Sequence, residues 1–236
     1  MNRVGLALAI MVSLAAASVA WTSAHAAGEQ PSLAANGDRS VSCYVDAAII
    51  SDAQERQRLR SAPHGARRVS AHVLVVNTKS GRRRFADPKP YLDGLDRVHW
   101  SYCGYVAALH AHLIGLEDGD RFTGKLLLEP NGRTLEAGAT VLPSPDGKLF
   151  LAGSQVNGEY MGRGMLSDMS GRQLWAGVSG VTGGDVDVEY GDPHWIANDA
   201  IRAPASCNGG NRRTGEATLV REGKTWRWKS DLKCEG

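Results

Sequence analysis

The sequence predicts an all-β fold, built as a propeller-like or sandwich-like array of antiparallel hairpins with one short surface helix. Three observations predict it. Turn signals recur about every 8–14 residues from residue 69 onward, the spacing of short strands joined by tight turns. The chain holds 28 glycines, enough to supply those turns. Between the turns, apolar and polar residues alternate with the period of a half-buried strand.

The first 26 residues stand apart. Arg3 precedes an apolar run over residues 4–20, and Ala24-His25-Ala26 places small residues three and one positions before a cut after Ala26. That is the layout of a secretory signal peptide. The alternative, a membrane anchor, is disfavoured by a run of about 17 residues, short for a hydrocarbon core of about 30 Å. The mature chain is therefore expected in the periplasm or outside the cell, with no stable membrane anchor. Residues 27–39 are rich in Gly, Ala and Ser and read as a disordered lead-in, leaving 40–236 as a single β domain.

Losing Arg3 reduces 27 basic residues to 26, against 25 acidic ones. So even a balance excludes the broad basic surface of a nucleic-acid binder. All four cysteines lie in the mature part. In an oxidising compartment they predict two disulfides. Cys207–Cys234 is preferred because the strand-rich segment between them folds back as a hairpin, a closure that stabilises by about 3 kcal/mol in the chain-entropy model. Cys43–Cys103 is the pair left over. No pair has the CxxC spacing of a zinc ribbon or redox dithiol.

Residues 41–50 read as a strand. A helix is expected from Asp52 to Leu59, capped by Asp52 with Glu55 three residues on, short and polar enough to lie on the surface. Residues 69–76 and 82–86 form a hairpin turning at Ser80-Gly81, and 87–96 form a loop. The apolar stretch 99–116 reads as two strands kinked at Gly104. Further hairpins turn at Asn131-Gly132, at Asp168–Gly171 and at Glu222-Gly223, and Asp146-Gly147 leads into another strand.

Three stretches carry a resemblance. Pro143-Ser144-Pro145-Asp146-Gly147-Lys148-Leu149-Phe150-Leu151-Ala152 resembles the SPDG-plus-strand element of WD-like propeller blades. Met169 to Trp175 resembles a blade's outer hairpin, and Asp192 to Ile201 the strand that opens the next blade. About half of the chain thus resembles small exported bacterial proteins with incomplete propeller-like folds. Some of these are periplasmic inhibitors of peptidoglycan hydrolases or immunity proteins against them. No blade repeats cleanly, which leaves a sandwich open. The resemblance implies a non-enzymatic binding protein whose partner is a lysozyme-like cell-wall hydrolase.

Candidate sites follow from residue chemistry. Asp185, Asp187 and Glu189 alternate along one strand face with Asp192 close behind, a set of oxygens suited to Ca²⁺; the alternative is an edge strand blunted by charge. A Ca²⁺-dependent hydrolase centred there is a rival function, and an envelope scaffold another. Tyr160, Met161 and Arg163, set among glycines in a loop over 157–164, suit insertion into a partner's cleft; a plain hairpin loop is the alternative. His110 and His112 would share a strand face and a Zn²⁺, but lack a third ligand. No GxSxG, HExxH or Cys–His pattern marks a nucleophile.

Overall fold

The computed structural model describes residues 40–45, 48–92, 96–156, 159–177, 180–181, 187–207 and 213–234. Its elements are mostly strands, with one α-helix and a 3-10 turn at Ala107–Leu109 among the described residues. Every ladder is antiparallel.

The largest sheet has nine strands. Its main path runs β1 (Val41–Ser42), β11 (Thr140–Pro143), β12 (Leu149–Val156), β9 (Arg121–Leu128), β8 (Ala111–Asp118) and β7 (Val98–Val106). Strand β10 (Thr134–Gly138) pairs with β9. Strand β13 (Glu159–Asp168) joins β12 to β14 (Gln173–Gly177). The ends of the main path, β1 and β7, are brought together by the Cys43–Cys103 disulfide, with Cα atoms 4.8 Å apart. No ladder joins them among the described residues. Arg58 closes the same gap: its Nη1 donates to the carbonyls of Ser42 (2.6 Å) and Cys103 (2.5 Å). Gly115 makes room for the bridge, because a Cβ there would lie 2.7 Å from Cys43 Sγ.

Strict alternation gives this curled sheet two apolar faces. On β8 and β9, Ala111, Leu113, Leu126 and Leu128 join Phe150 and Val141 in one core. Their neighbours Ile114 and Leu127 turn the other way, with Tyr102, toward a second core. That second core is covered by a lobe made of α1 (Asp52–Arg60) and a three-stranded sheet, β4 (Ala66–Ser70), β5 (Val73–Thr78) and β6 (Gly81–Ala86). Leu59, Leu74, Val76 and Phe85 supply the lobe's side of it. The expected helix is thus present, but Ser51 rather than Asp52 caps it, in a reciprocal pair with Gln54: Ser51 Oγ accepts from Gln54 N, and Ser51 N donates to Gln54 Oε1 (2.8 Å). Nor is it wholly superficial, since Glu55 and Leu59 are buried. The small ladder of β2 (Tyr44–Val45) and β3 (Ala48–Ile49) leads into it.

At the opposite end, β11–β14 pack against a six-stranded sheet: β15 (Gly180–Val181), β16 (Asp187–Tyr190), β18 (Ala200–Cys207), β19 (Thr214–Glu222) and β20 (Thr225–Ser230), with β17 (His194–Ala197) on β18. Leu142, Leu151 and Leu166 meet Ile201, Leu219 and Trp226 between the two sheets, and Trp195 Nε1 donates to Leu142 O across the gap. This is sandwich packing, the second of the two expected architectures. Both expected disulfides are present; Cys207–Cys234 ties β18 to the segment after β20. Among the described residues, no helix is long and apolar enough to cross a membrane.

Candidate functional site

Hairpin β5–β6 brings a histidine and an aspartate side by side. Its register pairs Val73 with Ala86, and one step further Asp87 N donates to His72 O. Asp87 is buried and its carboxylate accepts three donors. Trp100 N–H binds Oδ1 (3.0 Å), while His99 Nδ1 (2.9 Å) and His72 Nδ1 (3.1 Å) both bind Oδ2. Burial alone would raise its pKa; the bonds from His99 and Trp100 overcome this and hold the carboxyl below its usual range.

The second nitrogen of His99 identifies its proton. Nε2 lies 2.8 Å from Arg68 Nη2, and a guanidinium only donates, so Nε2 accepts and Nδ1 carries the hydrogen. Burial accordingly pushes the His99 pKa down, with Arg68 and Arg97 adding to the effect against the pull of Asp87. Arg68 is itself fixed by a bidentate pair with the buried Glu55, Nε to Oε2 at 2.8 Å and Nη2 to Oε1 at 3.0 Å, and it also donates to Trp100 O. Glu55 Oε1 accepts from Tyr102 N (2.7 Å). The chain Glu55–Arg68–His99–Asp87–His72 therefore runs from helix α1 across β4 and β7 to the start of β5.

It ends in a cleft of about 520 Å³ lined by α1, β4 and the segment before β7, within the size range of small-molecule sites. His72 lies at this end. Its ring stacks on Tyr91 at 3.6 Å and 4°, and its Nε2 makes no hydrogen bond among the described residues. Lys89 sits 5.9 Å from the other partner of that stack, the Tyr91 ring. Pro88, Pro90, Tyr91 and Leu92 give the cleft an apolar wall.

A second histidine–carboxylate–histidine group lies on the same lobe boundary. Buried Glu129 meets His112 Nε2 at 3.0 Å and His64 Nε2 at 3.3 Å, and His112 Nδ1 meets Tyr102 Oη at 3.0 Å. Burial pushes the His112 pKa down and that of Tyr102 up. The two non-glycine residues with left-handed φ among those described, His64 (57°) and His110 (46°), both touch Glu129: His64 through its ring, His110 through its carbonyl, which accepts Glu129 N.

The sites expected from sequence fare unevenly. His110 and His112 do not share a strand face. His110 takes the left-handed conformation that ends the 3-10 turn, and His112 is fully buried with both nitrogens engaged, so the zinc expectation fails on geometry. Tyr160, Met161 and Arg163 lie in strand β13, with Arg163 paired to Ser154, and not in a loop; the Gly-rich composition had hidden a ladder. Asp187 and Glu189 lie in strand β16, and Asp185 lies outside the described residues. Asp192 follows β16 with a buried Oδ2 that has no hydrogen-bond partner among the described residues, and burial raises its pKa.

The cleft group was missed, and the one local signal for it, the hairpin register, was misplaced. The hairpin expected to turn at Ser80-Gly81 turns one residue earlier, at 79–80, so that Thr78 pairs with Gly81 and the register sets His72 opposite Asp87; a turn at Ser80-Gly81 would have set Lys89 there. Arg68, Glu55 and His99 carry no such signal, because they meet only through tertiary packing. Comparison of the chain with family models, curated proteins and solved structures gives no match.

Proposed function

We propose that the chain is an exported, non-enzymatic binding protein whose partner sits over the cleft of the α1–β6 lobe. The observation that carries this reading is the gathering of exposed apolar side chains there. Of the four large apolar side chains exposed among the described residues, Tyr91 and Leu92 line the cleft side by side; Val69 and Ile196 do not line it. Exposed apolar surface framed by charge is the usual composition of a partner site. The ionic floor beneath it is satisfied and rigid, a preorganised support that limits the ordering cost of binding.

The proposed partner is a lysozyme-like peptidoglycan hydrolase, the class the sequence resemblance implies. Export is supported by the two disulfides, which persist in oxidising compartments such as the periplasm. Mixing the protein with peptidoglycan and a panel of lysozyme-type enzymes tests the reading. Inhibition and co-elution that are lost in Tyr91→Ala/Leu92→Ala support it; unaltered hydrolysis with no co-elution removes the hydrolase as partner. Inhibition lost instead in Tyr160→Ala or Met161→Ala moves the contact to β13.

A Ca²⁺ site near β16 is a lesser proposal, supported by the unpartnered Asp192 oxygen, which a hard cation would satisfy. A thermal midpoint equal in Ca²⁺ and in chelator would dispose of it.

A further inference from the structure

His72 is the one member of the cleft network with a ring nitrogen left open. Its two contacts, the ionised Asp87 behind it and the parallel Tyr91 ring beside it, both strengthen when the ring carries a proton: one as a charge-assisted hydrogen bond, the other as a cation–π stack. A protonated His72 would then present Nε2–H to the cleft, backed by a buried anion.

The surrounding charges are balanced without that proton. From α1 come Asp52, Glu55 and Arg56, and from β4 comes Arg68. The segment between β6 and β7 brings Asp87, Lys89, Asp96 and Arg97, and β7 brings the neutral His99. Glu55 is consumed by Arg68 and Asp87 by the two histidines, while Arg97 Nε leans on Glu117 at 3.6 Å. Among the lining groups alone, with Glu117 lying outside them, one proton on His72 leaves one positive charge in excess, next to an apolar wall of Pro88, Pro90 and Leu92.

We infer that the cleft binds a carboxylate carried on an apolar body, and that binding draws one proton from solvent onto His72 Nε2. This rests on the cleft being the binding site proposed above. The carboxylate accepts Nε2–H, Nδ1–H stays on Asp87, and the apolar body lies along the Pro88–Leu92 wall. A neutral amide of the same shape lacks the charge that holds the proton in place.

Calorimetry of the full chain with benzoate, in two buffers of different ionisation heat, tests this. About one proton is taken up per benzoate at pH 8, and affinity falls as pH rises. Benzamide does not compete. His72→Gln, on a half-exposed side chain, abolishes the uptake and weakens benzoate. Tyr91→Leu weakens benzoate severalfold while the uptake persists, which guards against a folding defect in the first variant. Benzamide binding as tightly as benzoate, unchanged proton uptake in His72→Gln, unchanged affinity in Tyr91→Leu, or no heat at the highest soluble benzoate concentration would each overturn the inference. Hydrolase binding that is lost in the Tyr91/Leu92 variant while benzoate stays silent refutes the carboxylate alone. Benzoate binding without hydrolase binding refutes only the partner class.

Discussion

Asp87 and Glu129 are each a buried carboxylate held between a more buried and a more exposed histidine, and each joins the α1–β6 lobe to the nine-stranded sheet. They differ at their ends. Around Glu129 the inner imidazole is saturated, with Tyr102 on one nitrogen and the carboxylate on the other, and the group takes no part in lining the 520 Å³ cleft. Around Asp87 the inner imidazole is saturated by Arg68, but the outer one keeps a free nitrogen at the mouth of a cleft. Burial and a paired charge are common to both, so neither property marks a site. What sets the Asp87 group apart is that its outer imidazole lines a cleft and carries the Tyr91 ring stacked on it.

Breaking the closed member has the largest expected effect. Glu129→Ala leaves His112 Nε2 buried and unpaired and frees the His64 turn, so a loss of about 3 kcal/mol is expected in urea denaturation, with benzoate binding retained once folded. A loss under 1 kcal/mol would mean that Glu129 is no staple. Acidification strikes both members next. His99 and His112 have pKa values depressed by folding, so the unfolded chain binds their protons first. Their stabilising contribution is complete above the unfolded value of about 6.5 and is lost as pH falls through and below it. Urea midpoints should therefore drop between pH 7 and 5, and less steeply in His112→Gln. A midpoint flat across that range would contradict the assigned neutral imidazoles.

Tyr102→Phe sharpens the comparison more finely. It removes one donor from His112 Nδ1 and should cost about 1 kcal/mol, again without touching the cleft. The smallest effect is expected where function is proposed. His72→Gln should change stability by less than about 0.5 kcal/mol, as surface substitutions usually do, while abolishing proton-linked binding. A destabilisation as large as that of Glu129→Ala would make the two groups equivalent and His72 merely structural.

What was legible in the sequence follows the range of the interactions. Period-two alternation and Asn-Gly or Asp-Gly turns are local, and they located most hairpins, including Asn131-Gly132 and Glu222-Gly223. The disulfides were also legible, Cys207–Cys234 from its short hairpin span and Cys43–Cys103 by elimination. The glycines around Tyr160 misled because in β13 they pack close: a Cβ at Gly164 would lie 3.1 Å from Trp175. The histidine pair at 110 and 112 misled because a single left-handed residue moves one of them off the strand. The cleft was mostly illegible, since Glu55, Arg68 and His99 converge from three elements that no local pattern relates.

The disulfide between Cys43 and Cys103 has a consequence for how such a chain diversifies. It spans 60 positions, and α1 with its three strands lies wholly inside that span. The excursion leaves the sheet at Cys43 and returns along β7 to Cys103, so the two cysteines and the glycine beneath them keep the exit and the return in place. Since most of the cleft lining lies on this tethered insert, its loops can change what is recognised while Leu59, Leu74, Val76 and Phe85 go on covering Tyr102, Ile114 and Leu127 of the sheet.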